Sequence, residues 1–216
     1  MKGKFFKVLV STLVFVPLSF FSVACSFEEN SSASSNNGSD IFVARGGTIV
    51  EITPSGQSLT AIEIPSEIDG VSITAIANGA FSDCRNLTSI GIPDSVTSIA
   101  DMAFYNCTSL TSVHITSIEA WCNITFEDVH SNPLWYAKNL YLNNTLATKL
   151  VVPNGVKSIG NLAFTRCVGL TSITIANSVK SIGEGAFGEC SGLTSVVVGS
   201  RATLPSLHPQ NNYSTL

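Results

Sequence analysis

Charge is what this 216-residue sequence has least of. Asp, Glu, Lys and Arg together make up 12% of it, against roughly a quarter in an ordinary soluble domain. The surface must therefore be polar through hydroxyls, and 30 Ser and 19 Thr supply them. A basic surplus is also missing. The formal charge is −4, and three of the lysines, Lys2, Lys4 and Lys7, sit at the extreme N-terminus. Beyond residue 24 eight basic residues face fifteen acidic ones, a net −7. Such a chain does not attract phosphate backbones, so nucleic acid is not an expected partner. Gly-x-Ser-x-Gly, His-Glu-x-x-His and phosphate-loop motifs are all absent, and no cofactor is expected. After residue 24 no uncharged run has the roughly 20 residues that a membrane-spanning helix requires. What is present is 44% hydrophobic residues, enough for a core, in a length that fits one domain once a leader and a tail are set aside.

The leader occupies residues 1–24. A basic start is followed by the uncharged run Val8–Ala24, 17 residues long and interrupted by Pro17. That is short for a span and has the form of a secretory signal peptide. Ser22-Val23-Ala24-Cys25 resembles the lipobox of bacterial lipoproteins, with Ser22 where that pattern usually has Leu. The resemblance implies a lipid on the Cys25 sulfur and Cys25 as the mature N-terminus; several acyl chains together would hold the protein to a membrane. Residues 25–40 then carry the run Asn30–Ser39 without a large apolar residue. This reads as a flexible tether, and about 15 such residues span roughly 20 Å on average. Residues 41–61 hold apolar residues in a strand-like pattern and are expected to form N-terminal cap strands.

The strongest signal is a repeat. Ala80-Phe81, Ala103-Phe104, Ala163-Phe164 and Ala186-Phe187 each precede a Cys three residues after the Phe and a Leu six after it. Aliphatic residues recur nine and eleven residues after each Phe. The Phe spacing is 23, then 60, then 23. A fixed period of this length means stacked coils, because one coil cannot bury its own core. Leu87-Thr88-Ser89-Ile90-Gly91-Ile92 ends in the alternation of a short half-buried strand. Pro93-Asp94-Ser95 is a turn. Asp101–Cys107 is too short for a long helix, and a single helical or 3₁₀ turn is expected there.

The frame Leu-x-x-Ile-x-Ile-Pro-x-x-Val-x-x-Ile followed by Ala-Phe-x-x-Cys resembles the BspA-type leucine-rich repeat, over residues 62–198. The resemblance implies a leucine-rich-repeat-like solenoid of short parallel strands and short helical or 3₁₀ turns. It also implies a secreted or surface protein, several relatives being adhesins that bind host matrix proteins or other cells. Two irregularities stand out. Five extra residues around Asp69-Gly70 suggest a hairpin-like bulge. The enlarged repeat at 117–150 holds Trp121, Phe126, Trp135, Tyr136 and Tyr141. These aromatics are either the core of that coil or, at Trp135 and Tyr136, a protruding binding patch. Residues 199–216 form an irregular tail without a convincing polar cap.

Cys84, Cys107, Cys167 and Cys190 share one repeat position and are expected as a column of small buried hydrophobes. Cys122 lies outside the frame. Glu127, Asp128 and His130 near Cys122 match no standard zinc spacing, and no metal site is expected. The outward strand positions form a hydroxyl ladder of Thr88, Ser89, Thr111, Ser112, Thr171, Ser172 and Thr174. His114 joins it on the open concave side as a solvated residue. The ladder is either a broad contact surface for a protein or glycan ligand or simply what repeat geometry tolerates. The expected function is that of a non-enzymatic, lipid-anchored repeat protein at the bacterial outer membrane or cell surface, attaching to host matrix or other cells. The alternative is a periplasmic scaffolding lipoprotein without an external ligand. A hydrolase built on residues 117–150 is disfavoured, since catalysis needs a desolvated pocket.

Overall fold

A computed structural model describes Gly38 and residues 40–199. The leader, Cys25, nearly all of the tether and the tail from residue 200 lie outside the described residues. Within them the chain winds as stacked coils, and two ladders of very short strands enclose the core. The main ladder runs Ala61–Glu63, Ser89–Gly91, Ser112–Ile115 and Leu140–Leu142, all parallel. After a break it resumes as Lys149–Val152, Ser172–Ile175 and Ser195–Val198. Its inward residues fall in register, Ile62 beside Ile90 beside Val113 beside Leu140, all four buried. β-Branched residues at every second position suit this pleated, half-buried setting.

The second ladder aligns Ile49, Ile76, Ile99 and Phe126 from Thr48–Ile52, Ala75–Ile76, Ser98–Ile99 and Thr125–Phe126. Ser158–Ile159 and Ser181–Ile182 continue it beyond the break. At the N-terminal side, Phe42–Arg45 folds back antiparallel on Thr48–Ile52 through Gly46-Gly47, both at positive φ. Phe42 sets its ring edge-on to Phe81, 6.2 Å away.

The repeat's Ala-Phe-x-x-Cys segment is built as a chain of reverse turns, where the sequence suggested one helical or 3₁₀ turn. Amides alternate in direction along it. Those of Ala80, Ser82 and Cys84 close turns on Ala77, Gly79 and Phe81, while those of Gly79, Phe81 and Asp83 donate to Asp101, Ala103 and Tyr105 of the next coil. Every second amide thus leaves the local turn, which prevents a helix from propagating. Two positions per coil take left-handed φ: Gly79, Met102, Leu162 and Gly185 before the Ala, and Asp83, Asn106, Arg166 and Glu189 before the Cys. The phenylalanines stack face to face through the centre, Phe81 on Phe104 at 5.0 Å and Phe164 on Phe187 at 5.4 Å.

The insertion around Asp69-Gly70 is a two-residue hairpin joining Glu67–Ile68 to Val71–Ser72, with both central residues at positive φ. That geometry matches the twist of its strands. The enlarged repeat contains two short helices, Ile118–Cys122, capped by the Ser117 hydroxyl, and Leu134–Ala137. Its chain then turns at Asn143-Asn144, both left-handed, into the antiparallel strand Thr145–Leu146. Main-ladder pairing stops there. Two backbone bonds, Gly160 to the Cys122 carbonyl at 2.9 Å and Val168 to the Lys138 carbonyl at 3.1 Å, still cross the break, and side chains add to them. The Trp121 indole donates to the Ala163 carbonyl at 2.7 Å. The buried Asn132 amide donates to Leu162 at 2.8 Å and Ala163 at 3.3 Å. Arg166 lies 4.5 Å over the Trp135 ring, donates to the Trp135 carbonyl and pairs with Glu189 at 3.0 Å. Buried carbonyls without strand partners are thereby satisfied.

Candidate functional site

The outward face of the main ladder carries the residues singled out from the sequence. Thr88, Thr111, Thr171 and Thr174 are exposed, and Ser89, Ser112 and Ser172 are half-buried. Four threonines of one column have their hydroxyl hydrogens engaged. Thr88 donates to the Thr60 carbonyl, Thr111 to Thr88, Thr171 to Thr148 and Thr194 to Thr171, at 2.8 to 3.2 Å. Each hydroxyl thus bonds back to the preceding coil and presents only lone pairs outward. The ladder strengthens coil stacking and at the same time forms an acceptor surface. No sequence pattern distinguishes these two uses; the hydroxyl direction does.

His114 differs from its expected setting. It is half-buried and stacks on Tyr141 from the next strand, with centroids 4.8 Å apart and planes 12° from parallel. Burial lowers its affinity for a proton, an effect partly opposed by a hydrogen bond with Asn144. One strand on the other side, Gly91 has no side chain, and the Glu63 carboxylate lies across it; a Cβ on Gly91 would overlap the carboxyl group. Loss of water there raises the Glu63 carboxyl above the usual range. Glu63, Gly91, His114 and Tyr141 thus form one outward row over four neighbouring strands. Glu63 is not among the residues that the sequence pattern singles out. Its signal is the frame Ile62-Glu63-Ile64-Pro65, which copies Ile90-Gly91-Ile92-Pro93. Tyr141 is hidden by the enlarged repeat, which shifts its strand out of the period.

The aromatics of the enlarged repeat divide between the two roles. Trp121 and Phe126 are core residues in contact with each other. Trp135 and Tyr136 are half-buried on the turn side, away from the threonine ladder. His130 packs edge-on to Tyr105 and Trp135, and the Tyr136 hydroxyl accepts from the Asn106 amide at 2.9 Å. Together with Arg166 they fasten neighbouring coils.

The carboxylates near His130 are engaged by the backbone. Glu127 accepts from the Asp101 amide, and Asp128 from the Met102 and Ser131 amides. A hydrogen bond to Asp128, then loss of water and the adjoining negative charges, raises the Asp101 carboxyl. Among the described residues no group of three or more His, Cys, Asp or Glu is placed to hold a metal ion. Cys84, Cys107, Cys122, Cys167 and Cys190 are buried free thiols. Burial pushes Cys84 and Cys167 up to about 11, and Cys107, Cys122 and Cys190 up to about 12. They are packing groups rather than nucleophiles.

Parallel short strands, a buried Phe-Leu-Ile frame and a period of 23 define a leucine-rich-repeat solenoid. The sequence matches the BspA type leucine rich repeat region in six copies, over residues 52–133 and 136–207. The chain belongs to that family. Solved structures similar to it include a leucine-rich repeat protein of T. pallidum, at 28% identity and a TM-score of 0.42, covering 69% of this chain and 62% of that one. A leucine-rich cell surface protein of Faecalibacterium prausnitzii shares 24% identity with a TM-score of 0.41, over 78% and 55% of the two chains. A leucine-rich repeat protein of Bacteroides ovatus shares 27% with a TM-score of 0.42, over 72% and 38%. This chain therefore spans between 38% and 62% of those three chains. No match was found among curated proteins.

Proposed function

We propose that this chain is a surface-displayed, lipid-anchored repeat protein that holds a protein or glycan ligand against the outward face of its main strand ladder. The observation that carries this reading is the face itself. Strand after strand presents hydroxyls, one imidazole and few charges, spread over many coils rather than gathered into a cleft. Repeat proteins bind through broad surfaces of this kind. The buried thiols are protonated at neutral pH and serve packing, which fits a binding role. The lipobox-like Ser22–Cys25 and the tether after it supply the anchor and spacing that display requires.

Attachment of cells tests this reading. Cells bearing the full chain are expected to adhere to immobilised host matrix or partner cells more than cells lacking it. Thr111→Arg with Thr174→Arg, which places two long cations on the exposed face, should remove most of the difference. Equal adhesion with and without the chain overturns the proposal.

A further inference from the structure

We propose that the row Glu63, Gly91, His114 and Tyr141 is a binding site for a neutral glycan, recognised through its hydroxyl groups. This rests on the surface-binding reading above and narrows it to one place and one chemistry.

The four residues come from four adjacent strands in continuous register, Glu63 beside Gly91, Gly91 beside His114 and His114 beside Tyr141. At about 4.8 Å per strand the row spans roughly 14 Å. Gly91 shapes it. Where other coils present a side chain, this one leaves a gap, and the Glu63 carboxylate rests in it on the backbone. The exposed Glu63 side chain therefore lays its carboxylate over the Gly91 backbone, within the row.

The hydrogen-bonding character of the surroundings selects the ligand. Thr88 and Thr111, which enter these strands, donate their hydroxyl hydrogens to the carbonyls of Thr60 and Thr88. Outward they can only accept. The Glu63 carboxylate is an acceptor as well, while the Tyr141 phenol and the serine hydroxyls beside the row can donate. A ligand matched to this surface must both donate and accept along its length. Phosphate, sulfate and carboxylate groups bring acceptors alone, with negative charge that the Glu63 carboxylate repels. A strongly cationic ligand would need several carboxylates, and the row has one. A chain of sugar hydroxyls supplies repeated uncharged groups that both donate and accept. His114, stacked on Tyr141 with its proton affinity lowered by burial, adds a polar ring edge to the row.

The test uses the full-length chain purified in detergent. Immobilised mannan and laminarin are the neutral probes, and heparin is the anionic one. Retention is expected on at least one neutral polysaccharide, with heparin weaker. Gly91→Ala should weaken retention by about tenfold, the loss of one hydrogen bond to a charged group. Its methyl displaces only the far end of the flexible Glu63 side chain, so circular dichroism should be unchanged. His114→Ala should act in the same direction, and Lys157→Ala, an exposed residue before the second-ladder strand Ser158–Ile159, should have no effect. The site is overturned by absence of retention on both neutral probes, by stronger binding to heparin, or by retention equal in Gly91→Ala and the parent. If cells still adhere through the chain while both neutral probes fail, the surface-binding function stands and the neutral-glycan site falls.

Discussion

Phe104 lies fully buried in the coil centre, stacked on Phe81 of the preceding coil. Removing such a ring takes away its own burial and leaves a cavity in a stack that cannot collapse sideways. Phe104→Ala should cost about 3–5 kcal/mol in chemical denaturation; a loss below about 1 kcal/mol would contradict a rigid central column. The cysteines make a second case at this scale. An unfolded thiol titrates near 8.5–9, whereas the folded ones are pushed up to about 11 or 12. Above pH 9 the unfolded chain therefore releases protons that the folded chain keeps. Stability should be full below that pH and fall as pH rises through the window up to about 12. Cys107→Ala should make the fall less steep. In a Cys25→Ser variant the described thiols should react with a thiol reagent only after denaturant is added. Buried frame residues such as these are legible in the sequence because hydrophobic identity and spacing report burial directly. The donor direction of Thr88 and the seat of Glu63 on Gly91 are not, since they depend on the neighbouring coil lying in register.

The turns and insertions are decided by backbone geometry. One position before each Ala-Phe takes left-handed φ; Gly occupies it at Gly79 and Gly185, while Met102 and Leu162 occupy it in the other two copies. A side chain there costs about 1–2 kcal/mol of backbone strain, against roughly 0.5–1 kcal/mol for the extra chain entropy of Gly. Met102 is exposed and packs on little. Met102→Gly should therefore be neutral or stabilise by up to about 1 kcal/mol, read as a rise in Tm. A loss greater than about 1 kcal/mol would show that Met102 has a packing role. The hairpin at Asp69-Gly70 is legible because that dipeptide favours two left-handed residues. The segment Asp101–Cys107 is not, because its alternating amides bond to a distant coil, a partner that local propensity does not encode.

Across the molecule, the coils fall into two blocks joined at the enlarged repeat. Main-ladder pairing ends at Thr145–Leu146 and restarts at Lys149–Val152. Coupling between the blocks passes through the backbone bonds of Gly160 to Cys122 and Val168 to Lys138 and through the side chains of Trp121, Asn132 and Arg166. In a quasi-one-dimensional stack, cooperativity depends on such junctions. Trp121→Phe, which removes the indole donor from the Ala163 carbonyl, should cost about 1–3 kcal/mol. Combined with Asn132→Ala it should split a single denaturation transition into two; a single transition with an unchanged slope would place the coupling elsewhere. At the far end of the described residues Val196 is 37% exposed, where its counterpart Ile173 is 1% exposed. Hydrogen exchange should be fastest in Ser195–Val198 among the main-ladder strands.

Whether the solenoid is displayed outside the cell, as its proposed function requires, is tested most directly by protease treatment of intact cells, with lysed cells as control. The solenoid should be digested in intact cells. Protection in intact cells with digestion after lysis would contradict surface display and favour a periplasmic scaffold.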